Sequence, residues 1–154
     1  MIIAVSGSVG TGKTTLSKKL AKKLGYKYVD VSAIIRKHRL SEGYDKVKKC
    51  EIVDVKKLNK VIMKEIKDKA VIDSHLSHYL PKKYVDLVII TKCNLKALEK
   101  RLQKKKYDKK KIKENLEVEI FDVCLNEAKD AGHKVLVVDT TKKVNINSLV
   151  RKIK

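Results

Sequence analysis

Tryptophan is absent from this 154-residue chain, and proline and phenylalanine occur once each. With one proline and no stretch rich in glycine and serine, the sequence offers no linker, so we expect a single compact domain. No apolar run reaches the roughly 20 residues needed to span a bilayer, and the opening MIIAVSGSVG lacks the regions of a signal peptide. We therefore expect a cytoplasmic protein that does not engage a membrane.

Cysteine is also scarce, since only Cys50, Cys93 and Cys124 are present and no two of them form a C-x-x-C pair. An odd number of scattered cysteines fits neither a disulfide framework nor a zinc site. We expect all three to be buried, reduced thiols with a structural role.

Acidic residues are few relative to basic ones. The chain has 38 lysines and arginines against 18 aspartates and glutamates, which gives a net charge of +20. Such a field attracts polyanions, either nucleotides or RNA. Lysine-rich surfaces are also common in proteins from hot environments, but that origin would bring matching glutamates, which are missing here. The charge therefore favours an RNA-rich setting.

Short apolar segments alternate with amphipathic ones along the chain. Apolar runs predict buried strands at residues 2–6, 28–31, 70–73, 84–91 and 135–138. Apolar residues spaced three or four apart predict helices between them, the first ending at Gly25 and another capped by Asn94. Strands that alternate with helices require a parallel sheet covered on both faces. The sequence therefore predicts a three-layer α/β domain with five strands.

Three local features complete this prediction. Ser32 is expected to cap the second helix. The polar segment 40–54, which contains Gly43, is expected to form an irregular lobe. A single long helix is expected to follow the lysine-rich stretch 104–111 and to end before Gly132.

Residues 7–14 form the strongest motif, because their sequence GSVGTGKT is a full match to G-x-x-x-x-G-K-[ST]. The glycines let backbone N–H groups approach a phosphate, and the helix beginning near Lys13 directs its positive end at the same anion. We expect Lys13 to reach the β- and γ-phosphates of ATP, and Thr14 to supply a hydroxyl ligand to Mg²⁺. A chance match has a frequency of about one in 200 in a chain of this length. The motif also follows a predicted strand and opens a predicted helix, so we predict a P-loop phosphotransferase.

A P-loop site also needs an acidic residue, at the end of a neighbouring strand, to hold the hydrated magnesium. Asp73 closes the apolar run 70–72 and is the best candidate. Asp30, Asp86 and Asp139 remain as alternatives.

His75 lies two residues beyond Asp73. Alternation along an extended chain would aim both side chains at the phosphates, but a lone histidine is more often structural. His75 and His78 together give only weak support for a metal site. Spacing alone therefore leaves the role of His75 open.

Several longer runs resemble one family. The segments GSVGTGKTTL at 7–16, KYVDV at 27–31 and EGYD at 42–45, with Arg36 between them, resemble the adenylate kinase isoenzyme 6 family. This family is also known as the coilin-interacting nuclear ATPase family and has archaeal members. The resemblance spans roughly positions 2–128 and continues through VIDSH at 71–75, Arg101, Leu102, Tyr107, Asn115 and EIF at 119–121.

The resemblance implies a nucleoside monophosphate (NMP) kinase fold. Its sheet would have the order 2-3-1-4-5, with an NMP-binding insertion at about residues 30–53 and a short lid at about 104–114. It also implies ATPase activity beside broad NMP kinase activity, in which ATP and AMP give two ADP. A role in maturation of the small ribosomal subunit is implied as well, through transient binding of a platform ribosomal protein, close to pre-ribosomal RNA.

The resemblance also assigns individual roles. Asp73 and His75 match the family's D-x-H motif, in which both residues are needed for turnover. Arg36 matches the arginine that holds the acceptor's phosphate, a task suited to its two-pronged guanidinium. Arg101 and Lys105 match the pair that enters the lid over ATP. The predicted nucleotide-binding set is Gly7, Gly10, Gly12, Lys13, Thr14, Thr15, Arg101 and Lys105.

The lid departs from the family pattern, because Lys105 and Lys106 stand where the family has Arg-Gly before the lid tyrosine. Lysine keeps the charge but loses planar contact with phosphate, so phosphoryl transfer is expected to suffer more than ATP binding. Two other hypotheses remain open. One is an ATP-switched ribosome assembly factor with incidental kinase activity, and the other is a kinase for a different small metabolite, such as shikimate or a nucleoside.

Overall fold

The structure, a computed structural model, describes residues 1–47 and 50–154. Within that part of the chain there are seven strands and seven α-helices. The strands are β1 (Ile2–Gly7), β2 (Lys27–Asp30), β3 (Ser41–Asp45), β4 (Cys50–Val53), β5 (Ala70–Asp73), β6 (Leu87–Lys92) and β7 (Val135–Asp139). The helices are α1 (Lys13–Leu24), α2 (Val31–Lys37), α3 (Val55–Glu65), α4 (Leu95–Lys104), α5 (Lys109–Ile120), α6 (Val123–Asp130) and α7 (Ile146–Ile153). Among the described residues, none of these helices has the length and apolarity that crossing a membrane requires.

Five strands form one parallel sheet in the spatial order β2-β5-β1-β6-β7. Counted in chain order among themselves, these strands follow the order 2-3-1-4-5, as the resemblance implied. The central strand β1 places Val5 opposite Asp73 of β5, and β2 places Asp30 opposite the same aspartate. Because parallel strands end at the same edge, the loop after β1 meets the ends of β2 and β5 there.

Helices cover both faces of the sheet. On one face, α1 and α7 pack together through a core that includes Leu20 and Leu149. On the other face, α2, α3 and α6 bury side chains that include Ile62 and Ala128. The predicted three-layer α/β domain is confirmed.

The predicted start of α2 was wrong. Asp30 rather than Ser32 is the N-cap, and its carboxylate accepts a hydrogen bond from the Ala33 backbone N–H at 3.3 Å. An aspartate in this position satisfies one of the free N–H groups of the first turn. Val31, which was expected to end the strand, is therefore the first residue of the helix.

The fourth sheet strand is shorter than expected. Tyr84, which was predicted to open it, ends the 3₁₀ turn Lys82–Tyr84 instead, and β6 begins only at Leu87. Asp86 consequently precedes the strand rather than lying within it.

The segment 40–54 is not irregular, because β3 and β4 pair as an antiparallel hairpin with a register shift between Ser41 and Gly43. Residues 48 and 49, which also belong to the predicted lobe, lie outside the described residues. Cys50 on β4 is exposed, so the expectation of three buried cysteines was wrong for this one. Cys93 is buried and Cys124 is half-buried.

The long helix predicted to end before Gly132 is two helices, α5 and α6. Phe121 ends α5, and Asp122 adopts a left-handed conformation with φ of 50°. The Lys92 ammonium at the end of β6 contacts the carboxylates of Glu119 and Asp122 on either side of this break. The break therefore lies where two ion pairs connect the chain to strand β6 of the sheet.

Candidate active site

The loop between β1 and α1 has backbone conformations that favour glycine, with positive φ at Gly7, Gly10 and Gly12. Gly7 has a φ of 145°, and a Cβ there would lie 2.3 Å from the Thr91 hydroxyl oxygen. Gly12, with a φ of 79°, precedes α1, whose first turn has no side-chain cap. The N–H groups of that turn are consequently free to bind an anion.

Hydroxyl groups fix this loop to the neighbouring strands. Thr11 donates a hydrogen bond to the Ser8 carbonyl at 2.7 Å, and its hydroxyl lies 2.6 Å from that of Thr91. The Thr140 hydroxyl, just after β7, lies 2.5 Å from the carbonyl oxygen of Thr11. These side chains are buried, so the loop is held in place from beneath.

Lys13 lies folded over the loop, and its ammonium donates a hydrogen bond to the Ser8 carbonyl at 2.8 Å. Burial lowers the pKa of Lys13 to about 8, although Cys124 and Asp73 oppose that shift. Because the Lys13 ammonium is poorly solvated and lies near free N–H groups, its charge favours the binding of a phosphate.

Asp73 ends β5 and is buried beside the loop. The Tyr28 hydroxyl on the neighbouring strand β2 donates a hydrogen bond to its Oδ2 atom at 2.8 Å. Burial, followed by this hydrogen bond, raises the pKa of the Tyr28 phenol. Tyr28 was missed as a functional candidate, although it lies within the KYVDV run that carried the resemblance.

The oxygen atoms of Thr14 and Asp73 fit a magnesium site. Both residues line one cleft with the phosphate loop, and Mg²⁺ in phosphotransferases is held by one or two carboxylates together with substrate phosphates and water. Asp30 lines the same cleft but caps α2. Asp86 accepts a hydrogen bond from the Ile2 backbone N–H at 2.6 Å, and Asp139 accepts one from that of Thr141 at 2.8 Å.

The cleft has a volume of about 440 Å³ and brings most of the predicted site residues together. Gly7 lies beneath the loop, and Arg36 is exposed in the last turn of α2, outside the cleft lining. The remaining predicted residues all line the cleft: Gly10, Gly12, Lys13, Thr14, Thr15, Asp73, His75, Arg101 and Lys105.

The two histidines after β5 have different environments. His75 is solvent-exposed within the cleft, where desolvation by the surrounding protein, then the charges of Lys13 and His78, lower its pKa. His78 is buried, with Nδ1 2.6 Å from the Ser6 hydroxyl and Nε2 2.6 Å from Glu127 Oε2. Both ring nitrogens of His78 therefore have partners. Across the residues that the structure describes, no group of three or more histidine, cysteine, aspartate or glutamate side chains could hold a metal ion.

A second cavity, of about 460 Å³, adjoins the first and was not predicted. Arg101 lies between the two, and its guanidinium donates hydrogen bonds to the carbonyls of Thr140 at 2.7 Å and Gly10 at 3.4 Å. The wall of this cavity includes Lys19 and residues 140–144. No motif marks residues 140–144, and only their place after the last strand could have indicated them.

Comparisons with known proteins agree with this geometry. A family model described as AAA domain matches residues 3–122. A Pyrococcus furiosus protein named "Putative adenylate kinase" is 46% identical over 93% of this chain and 77% of its own length. A Caenorhabditis elegans protein named "Adenylate kinase isoenzyme 6 homolog" is 36% identical over 88% of this chain and 76% of its own length.

Among solved structures, shikimate kinase from Acinetobacter baumannii in complex with shikimate has a TM-score of 0.64. It is 16% identical, and the match covers 99% of this chain and 89% of that one. At this identity the similarity is one of fold, and it shows that the chain has a P-loop kinase fold.

Proposed function

The chain belongs to the adenylate kinase isoenzyme 6 family, and on that premise we propose that it transfers the γ-phosphoryl group of ATP to AMP, giving two ADP. The observation that carries this proposal is the cleft at the sheet edge, where the phosphate loop, Asp73, His75 and Arg101 meet. Positioning and charge stabilisation account for most of catalysis in phosphoryl transfer, and these residues supply both.

Within the cleft, the roles follow from position. The Lys13 ammonium moves from the Ser8 carbonyl to the β- and γ-phosphates, where it stabilises the charge that develops in transfer. Thr14 and Asp73 would hold Mg²⁺, which would neutralise charge on the phosphate oxygens when bound. Tyr28 holds the Asp73 carboxylate in a fixed orientation through its hydrogen bond.

The second cavity is suited to the base and ribose of ATP. It adjoins the phosphate loop at Gly10 and Gly12, and residues 140–144 form part of its wall. Arg101 borders both cavities and lies where it can contact phosphates as well as the loop after β7. Lys105 also lines the first cleft, from the beginning of the proposed lid.

We assign the acceptor to the side of the cleft where Asp30 and Ser32, at the beginning of α2, form its wall. Arg36 lies exposed in the last turn of α2, so its guanidinium is free to bind the phosphate of an acceptor that enters from solvent.

ATP hydrolysis is the second proposed activity. His75 is exposed in the cleft, and its lowered pKa keeps the imidazole neutral near pH 7. The imidazole can therefore accept a proton from the attacking water or orient that water. We further propose a cytoplasmic setting and a role in small ribosomal subunit maturation, with transient binding of a platform ribosomal protein. The net charge of +20 is compatible with such an RNA-rich setting.

A coupled assay for ADP tests these proposals. Purified protein with ATP and Mg²⁺ is supplied in turn with AMP, CMP, GMP, UMP or no acceptor. We expect AMP to raise turnover well above the acceptor-free rate and Lys13→Ala to abolish both. Arg36→Ala should reduce AMP use while leaving acceptor-free hydrolysis intact.

Three results would contradict the assignments. Equal rates with every acceptor and with none would leave ATP hydrolysis as the activity, and a candidate ribosomal protein that raised turnover more than AMP would favour the assembly-factor role. Equal loss of both activities in Arg36→Ala would mean that Arg36 is not an acceptor residue.

A further inference from the structure

Acidic residues are confined to the middle of the chain. All 18 lie between residues 30 and 139. Residues 1–29 contain six lysines and residues 140–154 contain four lysines and one arginine, with no aspartate or glutamate in either segment. The first of these segments supplies α1 and the second supplies α7.

The fold brings these two segments together on one side of the sheet. Helices α1 and α7 pack against the same sheet face, with Leu20 and Leu149 in a common core. Their outward side chains form a surface that we call the α1–α7 face. It is defined by Lys18, Lys19, Lys22, Lys23, Arg151 and Lys152, all of which are exposed.

Charges on this face are not neutralised by neighbours. Elsewhere, Lys37 lies 3.0 Å from Glu65 and Lys57 lies 3.8 Å from Glu42. In the part of the chain that the structure describes, no basic side chain of the α1–α7 face has a carboxylate oxygen within 4.0 Å. The electrostatic field over this face is consequently of one sign, and it attracts anions.

Apolar side chains are also missing from this surface. The large hydrophobic residues that the structure leaves exposed include Tyr44, Phe121 and Val137, but none of them belongs to α1 or α7. A face without such residues has nothing to insert into a bilayer, and it lacks the aromatic anchors typical of protein interfaces. This face must therefore recognise a partner through the partner's negative charge.

We propose that the α1–α7 face binds the phosphodiester backbone of a nucleic acid duplex, which carries dense negative charge in a regular array. At 1.5 Å per residue, α1 is about 18 Å long, which corresponds to about five successive phosphates of one strand. Such binding reads little sequence and depends strongly on salt. The proposal does not rest on kinase activity. Among the six residues that define the face, only Lys19 lines a cavity at the phosphate loop, and the variants below leave Lys19 unchanged.

Two variants of the full-length protein test the proposal. The face variant combines Lys22→Gln, Lys23→Gln, Arg151→Gln and Lys152→Gln. The control variant combines Lys60→Gln, Lys64→Gln, Lys67→Gln and Lys129→Gln in the layer of α3 and α6. Each removes four positive charges from exposed positions, and none of the eight residues lines the two cavities at the phosphate loop.

Binding is measured by fluorescence anisotropy with labelled RNA and DNA duplexes of about 20 base pairs and identical sequence, at several salt concentrations. We expect the face variant to bind at least about tenfold more weakly at ~0.1 M salt, and its plot of log Kd against log salt to lose about three to four units of slope. The control variant should change affinity by less than about threefold. The duplex that binds more tightly shows whether the face prefers the backbone of RNA or that of DNA.

Kinase activity and the melting temperature verify that each variant is folded. If the face variant melts early, the paired variants Lys22→Gln/Lys23→Gln and Arg151→Gln/Lys152→Gln should each give about half of the effect on log Kd. Equal weakening in the face and control variants would overturn the proposal, because net charge alone would then explain binding. It would equally be overturned by absence of duplex binding, or by binding to phosphatidylserine vesicles that the face variant alone loses.

Discussion

Lys13 combines a hydrogen bond to a carbonyl with a pKa lowered by burial to about 8. ATP favours the charged ammonium, so the pKa of Lys13 must be higher in the complex than in the free protein. The affinity for ATP should therefore be constant below pH 8 and should fall as the pH rises through 8, by at most about tenfold per unit. Calorimetric titration with ATP and Mg²⁺ between pH 7 and 9.5 measures this dependence.

Lys13→Arg is the matched control, because arginine stays charged throughout that range. Its affinity for ATP should show no such decline, whatever its absolute value. An equal decline in both proteins would assign the titration to another group.

The Tyr28 hydroxyl donates a hydrogen bond to the Asp73 carboxylate. Tyr28→Phe keeps the ring and removes that bond. We expect the Mg²⁺ concentration for half-maximal turnover to rise by about ten- to a hundredfold, as is typical when a residue that orients a metal ligand is lost. A magnesium titration of ADP production measures the shift, with Tyr26→Phe as the control. Unchanged magnesium dependence would show that Asp73 needs no help from Tyr28.

His75 and His78 are three residues apart and should respond to substitution in opposite ways. His75→Ala alters an exposed cleft residue, so hydrolysis should fall strongly while the melting temperature stays within about 2 °C. His78→Ala removes buried hydrogen bonds to Ser6 and Glu127, so the free energy of unfolding should fall by about 2–4 kcal/mol. Turnover per folded molecule and thermal melting are measured on the same preparations. A destabilised His75→Ala protein with normal turnover per folded molecule would end the catalytic proposal for His75.

At the scale of elements, helix α1 could be predicted because its determinants are local. Leucines at positions 16, 20 and 24 define its buried side, and Gly25 ends it in the left-handed conformation. The break between α5 and α6 could not be predicted in that way. It depends on Asp122 and Glu119 meeting Lys92 of β6, and nothing in the local sequence records that contact.

The candidate site likewise combines a part set by local sequence with parts set by long-range contacts. The phosphate loop is one contiguous motif, so its position was evident from the sequence. The Tyr28–Asp73 contact and the cavity wall at residues 140–144 join segments that only the strand order brings together. Their partners are far apart in the chain, and no spacing rule connects them. The β3–β4 hairpin was missed because nearly all of its residues are exposed, so they show no alternation between core and solvent.

Lys92→Met tests how much the tie across the α5–α6 break contributes. The Glu119 side chain is only 4% exposed, and without Lys92 it would be a buried carboxylate that lacks its main cation. Loss of one partner of a buried ion pair costs about 3–5 kcal/mol, and we expect a value near the lower end because the Lys92 side chain is 24% exposed. Denaturant unfolding measures the loss. The double variant Lys92→Met/Glu119→Leu should recover part of it, and a double variant no more stable than Lys92→Met would contradict this explanation.

For the whole molecule, charge is divided between layers. The layer of α1 and α7 is uniformly basic, whereas α2 and α3 carry some of their lysines in ion pairs. Folding concentrates repelling charges on one side of the sheet, so electrostatic repulsion opposes the compact state. The same arrangement makes that side available to a polyanion without the loss of existing ion pairs.

This repulsion predicts that salt stabilises the protein. Between ~0.01 M and ~0.15 M sodium chloride the Debye length falls from about 30 Å to about 8 Å, which screens repulsion between lysines on the α1–α7 face more than it weakens close ion pairs. We expect the melting temperature to rise by on the order of 5 °C, equivalent to about 2 kcal/mol for a domain of this size.

The face variant should melt higher than the wild type at low salt and should respond less to added salt. Lys13→Ala weakens anion binding at the phosphate loop, and we expect it to show the same rise as the wild type. That result would exclude anion binding at the loop as the cause of the rise. A melting temperature that stayed constant or fell with salt would mean that ion pairs in the other layer outweigh the repulsion on the α1–α7 face.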